Sequence, residues 1–196
     1  MTFQNLLRPK KLLSCEEVFT TPCPIPQEPG LYGYYFARVP RSVPTEGCVD
    51  VLGNKLLYVG IAPTKPPQNG RAPSTQRLCH RIRFHYRGNA QGSTLRLSLG
   101  LLLGKELKTR LRRVGSGKRL TFADGENKLS FWLKKNAYVT WIVHQEPWIL
   151  EKSVIQQLSL PLNIDMNKAH SFSSVLSEMR SYAKRIATKQ PIWRPD

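Results

Sequence analysis

Three stretches of the chain carry apolar residues in short strand-like runs, and the rest carry them at helical spacing. Residues 30–38 (GLYGYYFAR) and 56–61 (LLYVGI) are aromatic and β-prone and are bounded by Pro- and Gly-rich segments, which predicts two strands. Residues 137–144 (AYVTWIVH) are β-branched and aromatic and predict a third. Leu78, Ile82 and Tyr86 recur every four residues, predicting a helix over about 75–87. The run STLRLSLGLLLG, from a cap at Ser93 to Gly104, is apolar almost all round and predicts a buried helix. Residues 126–136 fit a short helix, and Pro147 suits the first turn of another over 147–159. A last amphipathic helix, residues 173–187, places Val175, Met179, Tyr182 and Ile186 on one stripe. The order β-β-α-α-(α)-β-α-α implies an α/β (α+β) fold: a small three-stranded, mostly antiparallel sheet flanked by helices.

The connections set the organisation. Residues 1–29 read as a peripheral segment, with Ser14 and Glu17 in capping-box spacing and four prolines in residues 21–30. Residues 39–55 read as a long hairpin connection, and 63–75 as a basic Pro/Gly-rich loop. The main domain is expected over 30–168, with a C-terminal helix and tail, 169–196, packed on it.

Composition narrows the function. A chain of 196 residues that is 40% hydrophobic is globular and sustains one core. Its apolar runs are too short to span a bilayer and its N-terminus lacks a secretory pattern, so a cytoplasmic, non-membrane protein is expected. Lys and Arg total 30 against 13 acids, a formal charge of +17. That balance favours a polyanionic partner, nucleic acid first, over a basic protein with no such partner. Cys15, Cys23, Cys48 and Cys79 form no C-x-x-C pair and read as reduced thiols, and zinc is not expected.

Several polar residues sit where the pattern calls for something else. Glu151 falls on the stripe of residues 154, 155 and 158, and a buried carboxylate needs a cationic partner or a metal. An ion pair with one of the arginines and a functional role are both open. Arg81 and His85 lie one turn apart on one helix face, extended by Arg77. An arginine there suits a phosphate and a histidine suits proton transfer, although a solvated basic face has the same pattern. Asn163, after Pro161, either shapes a turn or serves a site. The segment 105–119 holds Lys105, Lys108, Arg110, Arg112, Arg113, Lys118 and Arg119. It is a candidate backbone-gripping element, together with Arg77 and Arg83, or else a solvated helix with a flexible end.

Gly30-Leu31-Tyr32, Tyr58-Val59-Gly60, Leu78 with Arg81 and His85, Glu151 at the start of a later helix, and Asn163 in a P-x-N loop follow one another in a set order. That order resembles the GIY-YIG nuclease superfamily over roughly residues 28–168, and the stretches STLRLSLG, WLKKN and PLNIDMN resemble a bacterial branch of it. The resemblance implies a divalent-metal-dependent endonuclease that hydrolyses DNA phosphodiesters, with RNA as another polyanion the charge would suit. Tyr32 and Tyr58 would flank the scissile phosphate, Tyr58 relaying a proton from the attacking water. Arg81 would grip the phosphate, His85 would assist proton transfer, Glu151 would hold Mg²⁺ or Mn²⁺, and Asn163 would support the site. Arg81 and the metal would lower the tyrosine pKa. The insertions 39–55 and 63–75 depart from the compact pattern, which leaves open a catalytically inactive nucleic-acid-binding module or a ribonucleoprotein subunit. Oligomeric state is not legible.

Overall fold

The computed structural model describes residues 3–195; residues 1, 2 and 196, at the ends of the expected N-terminal segment and C-terminal tail, lie outside the described residues. In chain order the elements are α1 (Gln4–Leu7), β1 (Leu13–Ser14), α2 (Cys15–Val18), β2 (Gly30–Phe36), β3 (Asp50–Val51), β4 (Asn54–Ala62), α3 (Leu78–Arg87), α4 (Thr94–Leu102), α5 (Gly104–Leu107), β5 (Arg112–Val114), β6 (Arg119–Thr121), α6 (Gly125–Asn136), β7 (Ala137–Val143), α7 (Pro147–Gln157) and α8 (Ser171–Lys189). The expected α/β architecture is present: an antiparallel sheet flanked by helices.

The sheet has five strands, in the order β1-β7-β2-β4-β3, where three were predicted. The three predicted strands form its centre, and the additions are two-residue edge strands. Two residues carry no periodicity, so such strands leave no sequence signature. The connection 39–55 ends in a tight hairpin, with Leu52 (φ 51°) and Gly53 (φ 79°) in the left-handed region and the Asp50 carboxylate accepting the Gly53 N–H at 2.9 Å. The N-terminal segment is likewise integrated. β1 pairs with β7, Leu6 is fully buried, and Ser14 forms the expected capping box with Glu17.

Alternation along β2 divides the core. Tyr32, Tyr34 and Phe36 face α3, α4 and α6, where Leu78, Ile82, Leu95, Leu99, Leu129 and Leu133 are buried. Leu31 and Tyr35 face the other layer, formed by Leu6 of α1 and Leu150, Val154 and Ile155 of α7. β2 is central and its residues are all buried, as expected for a strand covered on both faces.

Residues 105–119 do not form one helix. They form the single turn α5 and the β5–β6 hairpin, reversed through Gly115 (φ 61°) and Gly117 (φ 82°). On α8 the stripe singled out in the sequence is turned outward, Val175 being 49%, Tyr182 59% and Ile186 38% exposed. Phe172, Leu176 and Ala187 pack inward instead. Among the described residues no helix is long and apolar enough to cross a membrane, and all four cysteines are free thiols.

Candidate active site

The strand register explains why Tyr32 needs the glycine at position 60. Tyr32 of β2 lies opposite Gly60 of β4, and Tyr34 opposite Tyr58. Side chains directly opposite share a face, so the ring of Tyr32 lies over Gly60. A Cβ at Gly60 would stand 2.5 Å from the Tyr32 hydroxyl oxygen, and one at Gly30 would stand 2.2 Å from the Ile142 carbonyl oxygen.

Behind Tyr32 runs a buried polar chain. The Tyr32 hydroxyl lies 2.7 Å from His85 Nε2, and His85 Nδ1 lies 2.7 Å from Ser93 Oγ. Ser93 caps α4 by accepting the Arg96 N–H at 3.1 Å. Burial, followed by the charges of Arg81 and Arg96, holds the His85 pKa well below its ordinary value. Burial, followed by Tyr58, pushes the Tyr32 phenol well above its own, against the pull of Arg81. With the imidazole neutral, one ring nitrogen donates and the other accepts, so His85 links the Tyr32 phenol to the Ser93 hydroxyl in a single relay. Arg96, absent from the sequence-based list, anchors this end of the chain. Fully buried, it bonds Glu126 at 2.6 Å and donates to the carbonyls of His85 and Tyr86.

On the open side lies a cavity of about 540 Å³, lined by Tyr32, Tyr58, Arg81, Glu151 and Asn163 among others. α3 delivers Arg81, whose Nη1 donates to the Gly92 carbonyl at 2.8 Å. The Tyr58 hydroxyl is 3.4 Å from Thr94 Oγ1. Its pKa is raised, because burial outweighs the lowering influence of Thr94 and Arg81. Arg81 acts in the expected, lowering direction, and burial acts against it more strongly. Desolvation of a phenolate buried to this degree is the larger effect.

Glu151 enters the cavity from α7, whose core stripe is Leu150, Val154 and Ile155. Burial and the neighbouring Asp165 raise its pKa from an ordinary 4.5 to about 7. None of the ion pairs within 4 Å among the described residues includes it. Asn163 acts on the backbone: Oδ1 accepts the Val59 N–H and Nδ2 donates to the Val59 carbonyl, each at 2.9 Å. These two bonds complete the pairing of β4 between Tyr58 and Gly60.

Five of the six expected catalytic residues thus line one cavity, and His85 lies directly behind Tyr32. Three further wall residues escaped the sequence. Thr94 is hidden in an apolar helix, Asp165 sits in a loop where an aspartate ordinarily shapes a turn, and Arg180 on α8 gives no signal at all. The basic candidates disperse. The Arg83 guanidinium donates to the carbonyls of Val18 and Thr20, and that of Arg113 to Gly117 and Thr188. Arg77 stands at the N-cap of α3, and Lys105 and Lys108 sit past the C-terminal end of α4, whose N-terminal Thr94 touches the cavity. Arg112 and Arg119 belong to the β5–β6 hairpin, whereas Lys118 lines an adjoining cavity.

Among the described residues no group of three or more His, Cys, Asp or Glu could hold a metal ion. The donor set at the cavity is Glu151 with Asp165 nearby, hard oxygens whose mutual repulsion a cation would relieve. That set fits an ion that keeps most of its waters, such as Mg²⁺, and does not fit zinc.

Comparison with known families matches residues 30–182 to the GIY-YIG catalytic domain. No curated protein and no solved structure gave a match.

Proposed function

The chain belongs to the GIY-YIG catalytic domain family, a nuclease-type family, and from that premise we propose that it is a divalent-metal-dependent endonuclease hydrolysing DNA phosphodiester bonds. The observation that carries the reading is the convergence of Tyr32, Tyr58, Arg81 and Glu151 on one cavity in a chain of charge +17.

The scissile phosphate lies between the two phenols with Arg81 against its non-bridging oxygens, where a fixed guanidinium offsets the charge that builds in the transition state. Tyr58 relays the proton leaving the attacking water. Because its pKa is raised, its own proton passes to a water in the open cavity as it receives one, and it does not persist as a free phenolate. Tyr32 is oriented by its bond to neutral His85, so its hydroxyl position is set before substrate arrives. Glu151 would hold Mg²⁺ or Mn²⁺, and the ion would supply a Lewis acid for the phosphate and charge for the leaving oxygen. Asn163 keeps β4, and with it Tyr58, in register.

The test is nicking of supercoiled plasmid with Mg²⁺ or Mn²⁺. Metal-dependent nicking that Glu151→Gln removes, while salt-sensitive DNA binding persists, supports the proposal. Cleavage of RNA but not DNA would reassign the substrate, and binding without cleavage of either would leave a binding module.

A further inference from the structure

We infer that Arg180 and Lys184 of α8, facing Lys118 of the β5–β6 hairpin, form a second phosphate-binding groove that takes the backbone of the cleaved strand as it leaves the active cavity. This inference rests on the nuclease reading and extends it to the path of the substrate.

Three openings share wall residues. The active cavity shares Thr94 and Arg180 with an adjoining cavity of about 230 Å³, on whose wall Lys118 and Lys184 also stand. Among the described residues the wall of that second cavity carries three cations and no carboxylate, alongside Gln91 and apolar groups such as Leu97 and Leu111. A third opening, of about 180 Å³, again shares Arg180 and Lys184 and reaches Asp165. Arg180 therefore stands at the junction of all three. None of the ion pairs within 4 Å among the described residues includes Arg180, Lys184 or Lys118. Burial lowers the Arg180 pKa, opposed by the influence of Asp165 and Tyr58. A half-buried guanidinium without a close counter-ion is stabilised by an anion brought to it.

The walls are fixed before any ligand arrives. Gln91, in the turn between α3 and α4, accepts the Leu120 N–H at 2.9 Å and ties the hairpin to the site. Arg113 ties the hairpin to α8 through the Thr188 carbonyl at 3.3 Å, and the Trp193 N–H donates back to the Arg113 carbonyl at 2.8 Å. Arg180 and Lys184 are one helical turn apart, so their backbones are offset by about 6 Å along α8. That is the scale of the step between successive phosphates of one strand. The opening is far too small for a duplex and suits one sugar–phosphate chain, with the apolar wall against the sugars.

The experiment compares two double variants of equal charge change. Lys118→Gln/Lys184→Gln removes groove cations, and Lys128→Gln/Lys135→Gln removes two exposed cations from the outer face of α6. Each is titrated against a fluorescent single-stranded 12-mer DNA in EDTA at a series of salt concentrations. Loss of two phosphate contacts should reduce the slope of log K against log salt by about 1.4 for the groove pair. The α6 pair should keep the wild-type slope. In cleavage assays the groove pair should raise KM for the 12-mer several-fold more than the α6 pair does. Equal slopes for the two pairs overturn the groove. A protein that shows the slope difference but cleaves nothing keeps the groove and loses the nuclease reading, so the two failures are distinguishable.

Discussion

Gly60 lies directly across the sheet from Tyr32, so close that a methyl group on it would stand 2.5 Å from the phenol oxygen and 2.7 Å from Cζ. The glycine is the space in which the tyrosine ring lies, and the ring's position in turn sets the bond to His85.

Gly60→Ala is accordingly expected to push Tyr32 off His85. Overpacking of this kind destabilises by about 1–3 kcal/mol, and it should reduce nicking as well. Urea unfolding and plasmid nicking report the two effects. A Gly60→Ala protein with wild-type stability and activity would show that the Tyr32–Gly60 packing is not what positions the phenol.

Glu151 gives the second expectation, on pH. Its folded pKa, about 7, lies above its ordinary 4.5. Between these values the unfolded chain binds fewer protons than the folded one, so stability falls as pH rises from 4.5 to 7 and is level beyond. Relative to wild type, Glu151→Gln should be neutral at pH 4 and stabilising at pH 8, by at most about 3 kcal/mol. Mg²⁺ should raise the wild-type melting temperature at pH 8 and leave that of Glu151→Gln unmoved. An equal Mg²⁺ shift in both proteins would place the ion elsewhere.

His85 has the opposite sign. Its folded pKa is depressed, so the folded chain resists the proton that the unfolded chain takes up, and stability is lost as pH falls below about 6.5. Histidine NMR should show one imidazole still neutral well below that pH and assigned by its loss in His85→Gln. An imidazole that charges at its ordinary pKa would mean that His85 is not sealed from water behind Tyr32.

Much of this site was legible because its residues violate a pattern. A tyrosine tied to a glycine on each of two strands, an acid on an apolar stripe and an Arg–His pair one turn apart all stand out from their neighbours. The three central strands and the five longest helices were legible for the complementary reason, since each is long enough to show a period or a run of one residue character. What stayed hidden is short or tertiary. β1 and β3 have two residues each, and the β5–β6 hairpin is a basic run whose pairing only the turn at Gly115 and Gly117 reveals. Arg180 is one cation among many on a helix, and only the docking of α8 brings it to Tyr58 and Asp165. The stripe of Val175, Tyr182 and Ile186 misled in a related way. α8 carries two apolar faces, and it is the one with Phe172, Leu176, Ala183 and Ala187 that packs on the core.

The nuclease mechanism depends most directly on Glu151, and the most direct measurement is the rate at which the wild type and Glu151→Gln nick supercoiled plasmid in Mg²⁺, with DNA binding measured in parallel. The expected result is metal-dependent nicking by the wild type and a loss of at least about 100-fold in the variant with binding intact. Nicking at the wild-type rate by Glu151→Gln, or a folded, DNA-binding wild type that nicks with neither Mg²⁺ nor Mn²⁺, would contradict it.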